Sequence, residues 1–236
     1  MIDHLNGTGM VRTLDRTAHS LRRDEFIDVA QRLLQAKGYE GMSVQDVLDE
    51  LDASKGAFYH YFDSKQALLE AVVERMVDNA LVSVAPIVAD ATLPAAAKVE
   101  GVFHEIARMK AEQKELVLAL LQVWLADDNA IVREKFRRGI AFRLAPVLAT
   151  IVRQGNAEGA FSAASPDEVG RLLVSFILSV NEVATDLFVA RQANAIPYEV
   201  VERTFAAYGE SFERILGARP GSLAIVDSVT LRQWYG

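Results

Sequence analysis

Apolar residues recur at three- and four-residue spacing along nearly the whole chain, from about residue 21 to residue 216, and strand-type alternation is almost absent. That period predicts an all-α fold. At 236 residues, 51% of them hydrophobic, the chain can bury one large core or two modest ones. Breaks in the period divide it. Phe26, Ala30, Leu33 and Leu34 form a first stripe that should end near Lys37 and Gly38, and residues 1–20 read as an N-terminal arm without stable order. Pro86 and Pro94 bracket a change of unit. Further helices are expected over 95–112, 114–126, 129–154, 166–191 and 197–216, and the tail 217–236 reads as a strand, a docked extension or disordered chain. These boundaries predict a helix-turn-helix unit over 21–68 and a helical domain over 69–216.

Several function classes are excluded early. The absence of cysteine removes disulfides, thiolate nucleophiles and cysteine-held metals, and fits a reducing cytoplasm. His4, His19, His60 and His104 are scattered without metal-ligand spacing, and no phosphate-binding loop, dinucleotide fingerprint or hydrolase elbow occurs. No enzyme, metal or cofactor is expected. No basic-then-apolar leader is present, and apolar stretches such as 172–180 read as too short and interrupted to span a bilayer, so the expectation is a cytoplasmic protein without a membrane partner.

The informative stretch is 43–69, SVQDVLDELDASKGAFYHYFDSKQALL. Ser43 should cap a short helix with Val44, Val47, Leu48 and Leu51 on its core face, and Asp46 stands three residues on, near a capping box. Ser54 should open a second short helix through Tyr61, and Asp63 a longer one with Gln66 at the capping-box position. Two helices of about two turns joined by a tight turn have the dimensions of a helix-turn-helix. Phe58 and Phe62 should face inward. The outward positions pair small residues, Gly56 and Ala57, with long hydrogen-bonding ones, Lys55, Tyr59 and His60. Small residues let a helix enter a groove closely, and longer ones reach phosphates or base edges. Backbone N–H groups behind Ser54 could meet a phosphate.

This run resembles the DNA-binding signature of the TetR/AcrR family of transcriptional regulators. Ser54, Lys55, Gly56, Phe58, Tyr59, Tyr61, Phe62, Ser64 and Lys65 match its S-K-G-x-[LF]-Y-x-[YH]-F-x-[SN]-K pattern, and QGNAEGAF at 154–161 is similar to the turn before that family's dimerisation helices. The resemblance implies a recognition helix from Ser54 to His60. Lys55, Ala57 and His60 would face base edges, while Ser43, Tyr59 and Lys65 would bind phosphates. It also implies a homodimer on a palindromic double-stranded DNA operator, released by a small-molecule effector and coupled through the helix that follows Ser64. Two departures stand out. Asp52 occupies a turn position where the family usually has Gly, and residues 1–75 carry nine Lys and Arg against thirteen Asp and Glu. Arg12, Arg16, Arg22 and Arg23 are then the expected source of extra phosphate contact. The acidic balance also keeps open an alternative, a helical dimeric interaction protein that retains the fold without binding DNA.

In the second domain the helix over 166–191 is apolar nearly all round, with Val169, Leu172, Leu173, Phe176, Val180, Val183, Ala184 and Leu187 on one face and Val174, Leu178 and Val189 on another. The second face, with Val201, Phe205, Tyr208 and Phe212 of the last long helix, is the expected dimer interface. Phe103, Met109, Trp124, Phe142, Phe176, Asn181 and Phe188 are the expected lining of an effector pocket, Asn181 because a buried amide requires a partner.

Overall fold

In the computed structural model the described residues are 7–125 and 130–236 for the backbone, and 19–125 and 130–236 for the side chains. Among them every regular element is helical: α1 (Gly7–Gly41), α2 (Val44–Leu51), α3 (Lys55–Tyr61), α4 (Lys65–Ala89), α5 (Ala95–Glu112), α6 (Lys114–Leu125), α7 (Ala130–Ala157), α8 (Pro166–Gln192), α9 (Tyr198–Leu216) and α10 (Ser228–Tyr235). The chain divides into two units, one of Met1–Arg75 with Glu115–Val132, the other of Met76–Lys114 with Arg133–Gly236.

Helix α1 starts earlier than expected. Residues 7–20, read as an arm, are helical, because no Gly or Pro interrupts 10–37 and a helix once nucleated propagates. The side chains of Arg12 and Arg16 lie outside the described residues. The expected stop is present as a break: Gly38 has φ 72° and ψ 173°, a backbone state open to glycine and costly for other residues. Ser64, not Asp63, starts α4, its hydroxyl accepting from Ala67 N at 3.0 Å. Pro86 does not end α4. The carbonyl its missing N–H leaves open belongs to Val82, whose residue is 73% exposed, so water can satisfy it.

The first unit is held by an aromatic cluster. Phe26 of α1, Phe58 of α3 and Phe62 are almost fully buried, with Phe26 and Phe58 ring centroids 5.8 Å apart and Phe58 and Phe62 5.7 Å apart. Burying each such ring contributes on the order of 2–3 kcal/mol. Val47 and Leu48 are buried on α2, and Arg75 of α4 binds back to Asp28 and Gln31 of α1 at 2.5 and 2.7 Å.

The second unit packs Val99 and Val102 of α5, Leu148, Ile151 and Val152 of α7, Leu173, Val174 and Leu178 of α8, and Phe212 and Leu216 of α9 into one core. This corrects the reading of two α8 faces. Val174 and Leu178 belong to the chain's own core, whereas Leu172 is 53% exposed and Val189 43% exposed. By length and mean hydropathy of 1.7, α8 would pass for a membrane-crossing helix, contrary to the expectation that no stretch is long and apolar enough. Only 17% of its most apolar 18-residue stretch is buried within the chain, with Leu173, Val174 and Leu178 on the core side. The tail is neither strand nor loose chain: α10 docks Leu231 and Tyr235 against Val201, Leu187 and Phe188.

Candidate nucleic-acid interface

Each short helix of the first unit begins on a local hydrogen-bond device. Ser43 caps α2 by accepting from Asp46 N at 3.1 Å, and its own N–H donates to Asp46 Oδ2 at 2.6 Å, a complete capping box. Lys37 adds an ion pair to Asp46 at 2.9 Å, and these donors hold the Asp46 carboxyl well below the usual carboxylate range. Asp52 closes α2 in the left-handed conformation (φ 47°, ψ 45°), a state Asp tolerates better than most residues. Three residues later Ser54 Oγ accepts from Ala57 N at 3.1 Å and starts α3. The turn is short because both helix ends are capped from within it.

Helix α3 has one buried anchor, Phe58, and an open opposite side. Ser54, Lys55, Gly56, Tyr59 and His60 are exposed, Tyr59 to 56%, and Ala57 is half-buried. Gly56 answers no need of the fold. Its backbone is helical, and a Cβ there would meet only Ser54 Oγ at 3.8 Å, an ordinary contact. Glycine inside a helix costs about 1 kcal/mol relative to alanine, so the residue weakens α3 without relieving any clash in the chain. What it leaves is a low, flat patch beside Lys55 and Tyr59.

Not every expected contact residue is free in the same way. The Ser43 hydroxyl also donates to Asp46 Oδ2 at 2.7 Å, so both its functions are engaged in the capping box. His60 packs edge-on against His19 of α1, ring centroids 5.2 Å apart, which limits its rotamers. Lys65 places its Nζ 4.0 Å from the Tyr39 ring centroid. Sequence reasoning missed Tyr39 and His19, and the available signal was weak: an aromatic directly after the Gly38 break, and a histidine one helix away.

The expected effector-pocket residues lie in different surroundings. Phe142 is 84% exposed on α7, so it lines no interior space. Trp124 belongs to the first unit and the others to the second. Phe103 and Phe176 pack on Phe212 at centroid distances of 5.2 and 6.4 Å, and Phe188 packs on Tyr235 at 6.3 Å, which is core packing. Met109 is half-buried on α5. Asn181 is exposed, not buried, and accepts from Lys110 Nζ at 3.0 Å. Among the expected dimer residues, Val174, Leu178, Val201 and Phe212 are buried by the chain itself and unavailable to a partner, Phe205 packs beneath α10, and Tyr208 and Val189 retain exposure.

Comparison with known proteins places this geometry. The model of the TetR_N family, bacterial regulatory proteins of the tetR family, matches residues 26–72, which run from the Phe26 anchor through α2 and α3 into α4. An HTH-type transcriptional regulator of Lactococcus lactis subsp. lactis is 40% identical over 55 residues, 23% of this chain and 28% of that protein. The HTH-type transcriptional repressor KstR2 of Rhodococcus jostii RHA1 is 28% identical over 130 residues, 51% of this chain and 64% of its own. The chain thus spans less than two thirds of either relative's length. A solved TetR transcription regulator from Haloarcula marismortui ATCC 43049 shares the fold with a TM-score of 0.57 at 21% identity, covering 84% of this chain and 97% of that one. The likeness to bacterial regulatory proteins of the tetR family rests on residues 26–72, the end of α1 through α2 and α3 into α4.

Proposed function

We propose that the chain is a cytoplasmic, ligand-responsive transcriptional regulator that binds a palindromic operator as a homodimer. One observation carries the reading: the outward side of α3 combines a glycine that the fold does not require with Lys55, Tyr59 and His60, all set on a rigid base by buried Phe58. A helix built to enter a DNA major groove needs that combination of low relief and reaching donors. In this reading Lys55, Ala57 and His60 meet base edges, while Tyr59, Lys65 and the start of α3 at Ser54 meet phosphates, Gly56 permits the close approach, and Ser43, engaged in its capping box, acts by fixing α2. The acidic balance of residues 1–75 makes the contact local, not a matter of net charge.

The dimer in this reading uses the surfaces of α8 and α9 that the chain's own core leaves open. Leu172 and Val189 are exposed on α8, and α9 carries a shallow groove of about 440 Å³ lined by Val200, Arg203, Thr204, Ala207, Tyr208 and Ser211. Small side chains in that groove let a second helix approach closely. An effector bound in the second unit lowers operator affinity by favouring one of two states, by no more than its own preference between them.

Selection of duplexes from a random pool, followed by a salt titration of the winner, tests the proposal. A palindromic consensus and an affinity that falls steeply with salt support it. Failure to enrich any duplex at low salt overturns it in favour of a helical interaction protein.

A further inference from the structure

His60 stands in the last turn of α3, a helix of only seven residues. A helix that short has little stability of its own, and fraying starts at its ends. A histidine placed there and exposed to solvent exchanges among rotamers unless something holds it. Among the described residues its side chain makes no hydrogen bond and no ion pair, so ring contacts alone hold it. It packs edge-on against His19 of α1 at a centroid distance of 5.2 Å and against Tyr61 at 4.9 Å. His19 in turn meets Tyr61 at 4.6 Å, which closes a triangle of three rings.

The triangle is rooted in the interior. Tyr61 is half-buried, and its ring lies 5.8 Å from that of Phe26, which is fully buried. Phe62 N–H donates to Phe58 O at 3.0 Å and closes the last turn of α3. Tyr61 thus bounds the His60 ring from within α3, and His19 bounds it from α1. Arg22 and Arg23, further along α1, lie over the rings of Phe26 and Phe62 at 5.5 and 5.3 Å, so neither replaces His19 in this contact. Both histidines remain exposed, and their pairing removes little apolar surface from water, so the fold gains little from it. What the pairing changes is the freedom of His60.

We infer that His19 is a positioning residue for base readout: it holds the His60 imidazole in one orientation, so that discrimination at the base pair His60 meets depends on a side chain of α1. The inference rests on the proposed function and deepens it. A base edge is recognised by the angle at which donors and acceptors approach it, so a ring that turns freely reads several bases about equally. A ring held before DNA arrives also gives up less rotational freedom on binding, which favours the base that fits the held orientation. His19 acts through His60 and touches no base in this reading.

The test uses the full chain, the duplex that the wild type selects, and that duplex with each base pair of a half-site replaced in turn. His60→Ala identifies the pair that His60 reads, as the position where its preference is lost. His19→Ala should relax the preference at that same pair about fivefold, leaving the other pairs, the salt slope and the affinity for a random duplex unchanged. His19→Phe keeps a ring in place and should retain the preference. In the free protein, imidazole carbon-13 relaxation should report an ordered His60 ring in wild type and His19→Phe and a mobile one in His19→Ala. The inference is overturned if His19→Ala keeps the preference, or if the His60 ring is equally mobile in all three proteins. It is also overturned if His19→Ala weakens every duplex alike with a smaller salt slope, which would make His19 a phosphate contact. If a duplex is selected and His60→Ala loses no preference, the regulator stands and the inference fails. If His19→Ala frees the ring in a protein that selects no duplex, the contact stands, and the proposed function fails together with the role in readout.

Discussion

The ammonium of Lys65 lies over the ring of Tyr39, with Nζ 4.0 Å from the centroid. Both residues are half-buried, so the contact pins the start of α4 to the end of α1 while leaving the cation within reach of an anion. It is a packing contact worth about 1 kcal/mol, and in the proposed function it also positions the cation for a phosphate.

These roles separate on mutation. Lys65→Ala should weaken binding to all duplexes about equally and reduce the salt slope by about one unit, since one phosphate contact is lost. Tyr39→Leu should lower affinity several-fold with the slope unchanged, because the charge remains and only its placement suffers. An unaltered slope in Lys65→Ala would remove Lys65 from the interface.

Gly56→Ala offers the sharpest contrast between fold and function. The added methyl meets only Ser54 Oγ at 3.8 Å, so α3 should gain up to about 1 kcal/mol of stability from helix propensity. DNA affinity should nevertheless fall at least about tenfold, because one methyl against the groove displaces the whole helix. A variant that is more stable and binds equally well would show that the flat patch serves no close approach.

Local devices were legible in the sequence, and global phase was not. Ser43 with Asp46, Ser54 and the inward Phe58 and Phe62 could all be read because a cap or an anchor is decided within four residues. Asp63 was taken for the cap that Ser64 provides, an ambiguity between adjacent residues of equal capping power. On α8, apolar residues lie nearly all round, so no pattern could tell that Val174 faces inward and Leu172 outward; only packing against α7 and α9 decides that. Helix α10 is eight residues long and depends on distant partners, such as Arg191 donating to Tyr235 O at 2.8 Å. Its Asp227 cap was the one local signal available.

The docking of α10 should be sensitive to base. Burial disfavours the Tyr235 phenolate and raises its pKa to about 12 from 10.0, and the neutral hydroxyl donates to Ala184 O at 3.1 Å. The folded value lies above the unfolded one, so the stabilisation is complete below pH 10 and is lost as pH rises toward about 12. Hydrogen exchange of α10, or limited proteolysis at 217–227, should show the tail released over that interval. In Tyr235→Phe the base-induced release should disappear, with docking weaker by about 1 kcal/mol at neutral pH. Identical alkaline release in both proteins would assign it to another group.

Surface and core positions on α8 predict opposite failures. Leu172 and Val189 are 53% and 43% exposed, so a Leu172→Glu, Val189→Glu double variant should keep its helicity and melting temperature while sedimentation shows half the wild-type mass. Val174, fully buried between α7 and α9, should respond differently. Val174→Glu places an unpaired carboxylate in the core, should cost more than about 4 kcal/mol, and should lose cooperative unfolding before any change of oligomeric state can be read. A monomeric wild type, or a double variant that stays dimeric, would move the interface away from this part of α8. A folded Val174→Glu monomer would restore Val174 to the interface and contradict the packing of α8 against its own chain.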